Sequence, residues 1–418
     1  MKQLYITFAF LCLSFTSLAG QITVSTSDDN NITVTRYDSQ VKDKVFIWLP
    51  GEDGFQNANY QTAKFLSKFG EVWLPELFES RFLPAIPSSI SKIPATDITA
   101  LIQSATSIQN KKVILIGSDR GIIPLLTGVN LWQSMNVGNN NLVGIILISP
   151  NFFVRTPNPG DLAELLPIIN NTNLTVFLIQ PKQSPWYWKL QQSINALQKS
   201  GSDVYLQIIP KVRDRFYYRP DATLTENHHS ELLSNYILKS SRLLFRLPIK
   251  VRAPSRHPES AKTPRIIKKE NTLKPYTSKA DTPQLRLKSL AGKESDLINY
   301  RNKVVLVNFW ASWCPPCVHE MPSMQRLQNM FETDTFTILG VNMAEDTDTI
   351  KHFLSTKINV TFPILLDSDG TALKSWQVFA FPTSYLIDKK GKIRYALFGS
   401  VEWDSKDKIK IIKSLIDE

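Results

Sequence analysis

The sequence holds only three cysteines in 418 residues. That is far too few for a small disulfide-stapled scaffold. Beyond the first twenty residues, no apolar run approaches the ~20 residues needed to span a bilayer. Nor is the chain depleted in apolar residues or overloaded with charge. Hydrophobic residues make up 43% and charged residues 20%, close to the globular average, which excludes a wholly disordered or collagen-like chain. At about 150 residues per domain, the length predicts two or three domains.

A net charge of +11 raises nucleic acid or an anionic membrane as partners, depending on where the charge sits. Residues 1–245 carry 21 basic and 18 acidic side chains, 246–280 carry 10 and 2, and 281–418 carry 17 of each. The excess therefore belongs chiefly to one short stretch that also contains Pro248, Pro254, Pro258, Pro264 and Pro275. Proline removes backbone donors and like charges repel, so residues 246–284 are expected to form an extended, solvated linker. The basic pI then describes a tether and gives no argument for nucleic acid. An anionic envelope surface stays a candidate neighbour of that tether.

Lys2, the apolar run Leu4–Leu18 and the small residues Ser17-Leu18-Ala19-Gly20 follow the layout of a secretory signal. Residues 1–19 are expected to be that signal, cleaved after Ala19 or else retained as an anchor, and the protein is expected to be exported to the periplasm. Cys12 lies inside the run and reads as filler of the apolar core. The mature chain would keep two cysteines.

Residues 22–245 alternate apolar runs with helix-like segments. Strands are expected at Val45–Leu49, Val72–Leu74, Val113–Ile116, Val143–Ile148, Thr175–Ile179 and Val204–Ile209. Strands bracketing helices predict an α/β domain with a mostly parallel sheet. Residues 285–418 read the same way on a smaller scale. Strands are expected at Val304–Phe309, Thr337–Asn342, Ile364–Leu366, Thr383–Ile387 and Lys392–Leu397, and helices after Cys317, at Asp348–Ser355 and at Ser405–Ile416.

The apolar strand at Val304–Phe309 runs into Trp310-Ala311-Ser312-Trp313-Cys314-Pro315-Pro316-Cys317, and a helical pattern follows. Two cysteines three residues apart at a helix start can close a small disulfide with little backbone movement. The first sits where unpaired N–H groups and the helix dipole stabilise negative charge. That populates the thiolate, the attacking species. Cys314 is the expected nucleophile and Cys317 the resolving thiol. Pro315 and Pro316 suit the first turn, where a missing donor costs nothing. A zinc site would need four ligands, and this region has no second Cys-x-x-Cys or His pair. Neither a metal nor a cofactor is expected.

The segment Val304–Pro322 resembles the TlpA/ResA-like family of exported thioredoxin-fold thiol–disulfide oxidoreductases, a likeness that extends over 285–418. Leu339-Gly340-Val341-Asn342 and Phe362-Pro363-Ile364-Leu365-Leu366-Asp367 look like the family's central βαβ insertion. Phe381-Pro382-Thr383-Ser384 looks like its cis-proline segment. The resemblance implies a cis bond at Pro382, a loop of Phe381, Pro382 and Thr383 that faces the cysteines and receives a substrate chain, and Trp313 at the rim with Trp310 in the packing. It also implies a tuning role for Glu320, three residues after Cys317. A partly buried carboxyl there would have a raised pKa and could exchange a proton during thiol transfer. Thioredoxin itself carries a buried acid on the preceding strand, where this chain has Asn308, which leaves that task to Glu320. His319 is expected at the surface and Pro322 at a helix kink. The implied activity is reduction of client disulfides, for example in cytochrome c maturation, with electrons from an upstream, membrane-borne thiol donor.

A second pattern stands in the N-terminal region. Gly117-Ser118-Asp119-Arg120-Gly121 follows the strand Val113–Ile116 and precedes an apolar helix. Strand, Gly-x-nucleophile-x-Gly turn and helix form the elbow of α/β-hydrolases, which residues 22–245 therefore resemble. Trp48-Leu49-Pro50-Gly51-Glu52-Asp53-Gly54 falls where such proteins place an oxyanion loop. The central residue is an aspartate, as in haloalkane dehalogenases. The loop after Ile209 holds no histidine; His228 and His229 come later, ahead of a helix expected near Ser230. Two readings stay open: a hydrolase using Asp119 with His228 or His229, and a non-catalytic hydrolase-like module that recruits redox clients.

Overall fold

The structure, a computed structural model, describes residues 19–107, 111–157, 159, 161–248, 250, 272–278 and 281–418. Nearly all of the expected signal segment, Cys12 included, and most of the expected linker lie outside them. The chain divides into two units, one drawn from 1–151, 167–183 and 194–261, the other from 152–166, 184–193 and 262–418.

The first unit is built on strands β1 (Ala19–Ser25), β2 (Asn31–Tyr37), β3 (Lys44–Trp48), β4 (Glu71–Pro75), β5 (Lys112–Ser118), β6 (Leu142–Ile148), β7 (Val176–Gln183) and β8 (Val204–Arg213), ordered β1-β2-β4-β3-β5-β6-β7-β8. Pairings from β4 to β8 are parallel; β1–β2 and β2–β4 are antiparallel. Intervening helices include α1 (Asn57–Leu66), α2 (Ala95–Thr106), α3 (Ile122–Met135), α4 (Leu190–Lys199), α5 (Leu224–Glu231) and α6 (Leu233–Arg246). Central parallel strands are covered on both faces, so they must be apolar throughout. β6, Leu-Val-Gly-Ile-Ile-Leu-Ile, is buried at every position.

The second unit has the strand order β11-β10-β14-β13-β12-β15-β16-β9. In chain order these are β9 (Lys274–Pro275), β10 (Arg286–Ser289), β11 (Glu294–Asp296), β12 (Val304–Trp310), β13 (Phe336–Met343), β14 (Ile364–Asp367), β15 (Thr383–Ile387) and β16 (Ile393–Phe398). Helices are α7 (Pro315–Gln328), α8 (Thr347–Thr356), α9 (Thr371–Ser375) and α10 (Lys406–Asp417). This sheet is mixed as well, with fewer parallel pairings than the first. Only β12–β13 and β13–β14 are parallel. The tight turn at Gly391, with φ 74°, leaves no room for a crossover between β15 and β16, so they pair antiparallel.

Two sequence expectations shift. Residues 272–278 and 281–284 fall within the expected linker. Yet β9 pairs with β16, and the Gln284 carbonyl accepts from Trp376 Nε1 at 3.2 Å. Pro275 is tolerated because β9 is an edge strand. His228 and His229 lie within α5, not ahead of a helix. Thr223 and Glu226 form a reciprocal capping box that starts the helix earlier.

Candidate active site

In the second unit, Cys314 is the N-cap of α7 and Cys317 lies in its first turn. The two are joined as a disulfide with Cα atoms 5.3 Å apart. The Cys317 N–H points at Cys314 Sγ, 3.3 Å away. A donor of this kind, with the helix dipole behind it, favours a sulfur anion at Cys314 once the bond is opened. Cys314 is 5% exposed and Cys317 fully buried, so an incoming sulfur can reach only the first.

The Phe381–Pro382 bond is cis, as the resemblance implied. Phe381 stands edge-on to Trp313 with ring centroids 5.7 Å apart, so the fold brings these two site residues together. Pro382 and Thr383 are buried, and the Thr383 hydroxyl donates to the Ala380 carbonyl at 2.7 Å. His319 is exposed, Trp310 is fully buried and Pro322 lies inside α7.

Glu320 is completely buried. Asn308 Nδ2 donates to its Oε1 at 2.8 Å, and Trp403 Nε1 donates to its Oε2 at 3.2 Å. The Val401 N–H also donates to Oε2, at 3.4 Å. Burial pushes the Glu320 carboxyl up to about 8, with these three donors holding it back. The same Asn308 Nδ2 also donates to Ser384 Oγ at 2.9 Å.

Sequence reasoning did not anticipate Glu345. Its carboxylate accepts from Ser312 N at 2.7 Å, from the Ser312 hydroxyl and from Asn342 Nδ2 at 2.8 Å. It thereby holds the turn that precedes Cys314. The parallel register pairs Trp310 with Asn342, which sets the loop after β13 beside the loop after β12. An acidic cluster, Glu345, Asp346 and Asp348, just past a buried strand was the available signal. Trp403 was missed as well, because nothing local marks it.

In the first unit, Asp119 sits on a sharp strand-to-helix turn with φ 48°. Packing requires the glycine at 121, where the obstacle is backbone, more strictly than at 117, where it is the end of a side chain. A Cβ at Gly121 would lie 2.3 Å from the Pro50 carbonyl oxygen, and one at Gly117 would lie 2.7 Å from Leu125. Asp119 is 5% exposed. Tyr218 Oη is 3.3 Å from its Oδ2 and Arg215 Nε is 3.6 Å from its Oδ1. Burial first, then Asp214 and Asp53, push this carboxyl well above its ordinary value. Neither histidine is among the groups acting on it. His229 Nδ1 instead lies 2.6 Å from Tyr236 Oη, and its ring neighbours His228. Among the described residues, no group of three or more His, Cys, Asp or Glu could hold a metal ion, and no helix is long and apolar enough to cross a membrane.

The profile of the AhpC/TSA family matches residues 279–396. The thiol-disulfide oxidoreductase ResA of Geobacillus thermodenitrificans (strain NG80-2) is 36% identical over 132 residues, which is 31% of this chain and 75% of that protein. ResA of Bacillus subtilis (strain 168) is 32% identical over 122 residues, covering 29% of this chain and 68% of that protein. A crystal structure of a putative thiol:disulfide interchange protein DsbE from Chlorobium tepidum is 28% identical, covers 32% of this chain and 95% of its own, and has a TM-score of 0.31. Through its C-terminal region, this chain belongs to the thioredoxin-like thiol–disulfide oxidoreductases of the ResA type.

Proposed function

We propose that the protein is an exported disulfide reductase that acts on client proteins through Cys314 and Cys317. The carrying observation is the N-cap placement of Cys314, with the Cys317 N–H aimed at its sulfur. In the reduced enzyme, the Cys314 thiolate attacks one sulfur of a client disulfide. The client's other sulfur leaves as thiolate and takes up a proton, and a mixed disulfide forms. Cys317 then gives its proton to the Glu320 carboxylate and attacks Cys314 Sγ. The second client sulfur leaves as thiolate and is protonated, and the Cys314–Cys317 disulfide forms. Two electrons have passed to the client. An upstream dithiol, expected at the membrane, restores the reduced form by the same exchange in reverse. Trp313, Phe381 and the backbone of Pro382 and Thr383 would hold the client chain beside Cys314.

The test is a trap. Cys317→Ser removes the resolving thiol, so Cys314 should stay covalently joined to clients in an exported preparation. A preparation without any mixed disulfide would sink the proposal. Titration against a glutathione buffer then gives the direction, since potentials of Cys-x-x-Cys proteins run from about −270 to −120 mV. A value at the oxidising end would reverse the proposed electron flow.

For the first unit we infer a hydrolase-like module without hydrolase chemistry that recruits clients. The elbow geometry at Asp119 supports the likeness. Tyr218 and Arg215 occupy the carboxyl where a hydrolase needs a histidine base. Ester or haloalkane hydrolysis that is lost in Asp119→Ala and kept in Cys314→Ser would restore the catalytic reading with Asp119, His228 and His229. The basic stretch 246–280 is proposed to lie at an anionic envelope surface. Vesicle binding that is unchanged by salt or by deleting that stretch would refute this.

A further inference from the structure

The segment between β16 and α10 crosses the outside of α7 with a regular alternation. The Gly399 N–H donates to the carbonyl of cis-Pro382 at 2.9 Å. Two residues on, the Val401 N–H donates to Glu320 Oε2 at 3.4 Å. Two further on, the Trp403 N–H donates to Ser323 Oγ at 3.0 Å, and that hydroxyl donates to the Glu320 carbonyl at 2.7 Å. The Trp403 ring is fully buried, and its Nε1 donates to the Glu320 carboxyl. The residues between point the other way. Glu402 and Asp404 both pair with Arg326 of α7, at 3.0 Å and 2.5 Å. Gly399, Val401 and Trp403 thus grip the site from within, while Glu402 and Asp404 clip the same segment to the helix from outside.

Hydrogen bonds fix the orientation of a buried carboxyl and decide how far its charged form is favoured. Asn308 holds one oxygen of Glu320. Among the described residues, the other oxygen accepts from this segment, through Val401 and Trp403. Among the described residues, burial and those three donors are what act on the carboxyl. The titratable groups at this end of its own helix are the exposed His319 and, after reduction, the Cys314 and Cys317 thiols. Arg326, Glu402 and Asp404 face outward on the far side of the segment.

We propose that residues 399–404 form a strap that positions the site, with Trp403 as the positioning residue for Glu320 and Arg326 as the external lock. Through Gly399 the strap also ties the client-facing proline loop to the proton-carrying group. The proposal rests on the reading of Glu320 as the group that exchanges a proton with the dithiol.

The test follows the pH dependence of iodoacetamide alkylation of the reduced, full-length protein. Glu320→Gln should remove one limb of that profile. Trp403→Phe deletes a donor to the carboxylate while keeping an aromatic ring, so the same limb should move to higher pH by about one unit. Arg326→Gln changes an exposed side chain. It should move the limb in the same direction by a smaller amount, while the melting temperature stays close to that of the parent. A limb unmoved in Trp403→Phe and Arg326→Gln, but lost in Glu320→Gln, would overturn the strap while leaving the role of Glu320 intact. A profile unchanged by Glu320→Gln would overturn the underlying reading and the strap with it. Should Trp403→Phe fail to fold, Arg326→Gln decides alone.

Discussion

Asn308 Nδ2 lies 2.8 Å from Glu320 Oε1, in the middle of a strand buried at all seven positions. An uncharged amide thus stands against the one buried carboxyl that is next to the dithiol in sequence. Two carboxylates at this separation could not both ionise. Asn308→Asp is therefore expected to make a coupled pair that shares a proton. The variant should melt close to the parent near pH 5 and well below it near pH 8. Equal melting temperatures at both values would show that the amide's lack of charge is not needed.

Glu320 also makes stability depend on pH. Its carboxyl is pushed up to about 8 in the folded protein, above its ordinary value in the unfolded chain. A group raised in this way contributes stability that is complete below the unfolded value and is lost as pH rises through the folded one. Between about pH 4.5 and 8, the oxidised protein should lose up to about 1.4 kcal/mol per pH unit on this account. Glu320→Gln removes the titration, so denaturant unfolding of that variant should vary less across the same window.

Gly121 tests the packing of the elbow apart from its chemistry. A methyl group there would meet the Pro50 carbonyl oxygen at 2.3 Å, and backbone cannot swing aside as a side chain can. Gly121→Ala is expected to cost on the order of 1–3 kcal/mol, as overpacking does. Thermal unfolding followed by tryptophan fluorescence would measure it. An unshifted transition would mean that the loop at Pro50 yields freely.

Trp313 and Phe381 meet edge to face at the rim of the site. Such a pair contributes about 0.5–1.5 kcal/mol beyond its buried area. Trp313→Ala should slow reduction of a folded protein disulfide by about 3- to 10-fold and leave reduction of a small aromatic disulfide nearly unchanged. A similar loss with both substrates would assign Trp313 to the dithiol itself rather than to the client.

Much of this was legible before the structure. Strand positions such as Thr383–Ile387 coincide with the fold, because runs of buried β-branched and aromatic residues bounded by turns leave few alternatives. The β1–β2 hairpin was not read. Its strands alternate polar and apolar residues around Asp28-Asp29-Asn30, with Asp29 at φ 59°, a turn pattern hidden behind the polar composition. The end of the linker was misplaced for the opposite reason. Residues 272–284 contain Pro275, Pro283, Lys274, Lys279 and Asp281 and no apolar run, yet an edge strand accepts proline and charge.

The dithiol and its chemistry are written locally in the chain. Cys314, Pro315, Pro316 and Cys317 act within one helical turn, and helix N-termini obey local rules of capping and dipole. What surrounds the dithiol was decided only by tertiary structure. Ser312 meets Glu345 across 33 residues and Trp403 meets Glu320 across 83. In the first unit, Tyr218 reaches Asp119 across 99. Strand order and register make these meetings. A buried carboxyl takes its character from whichever donors the fold brings to it, and no spacing along the chain records which those are.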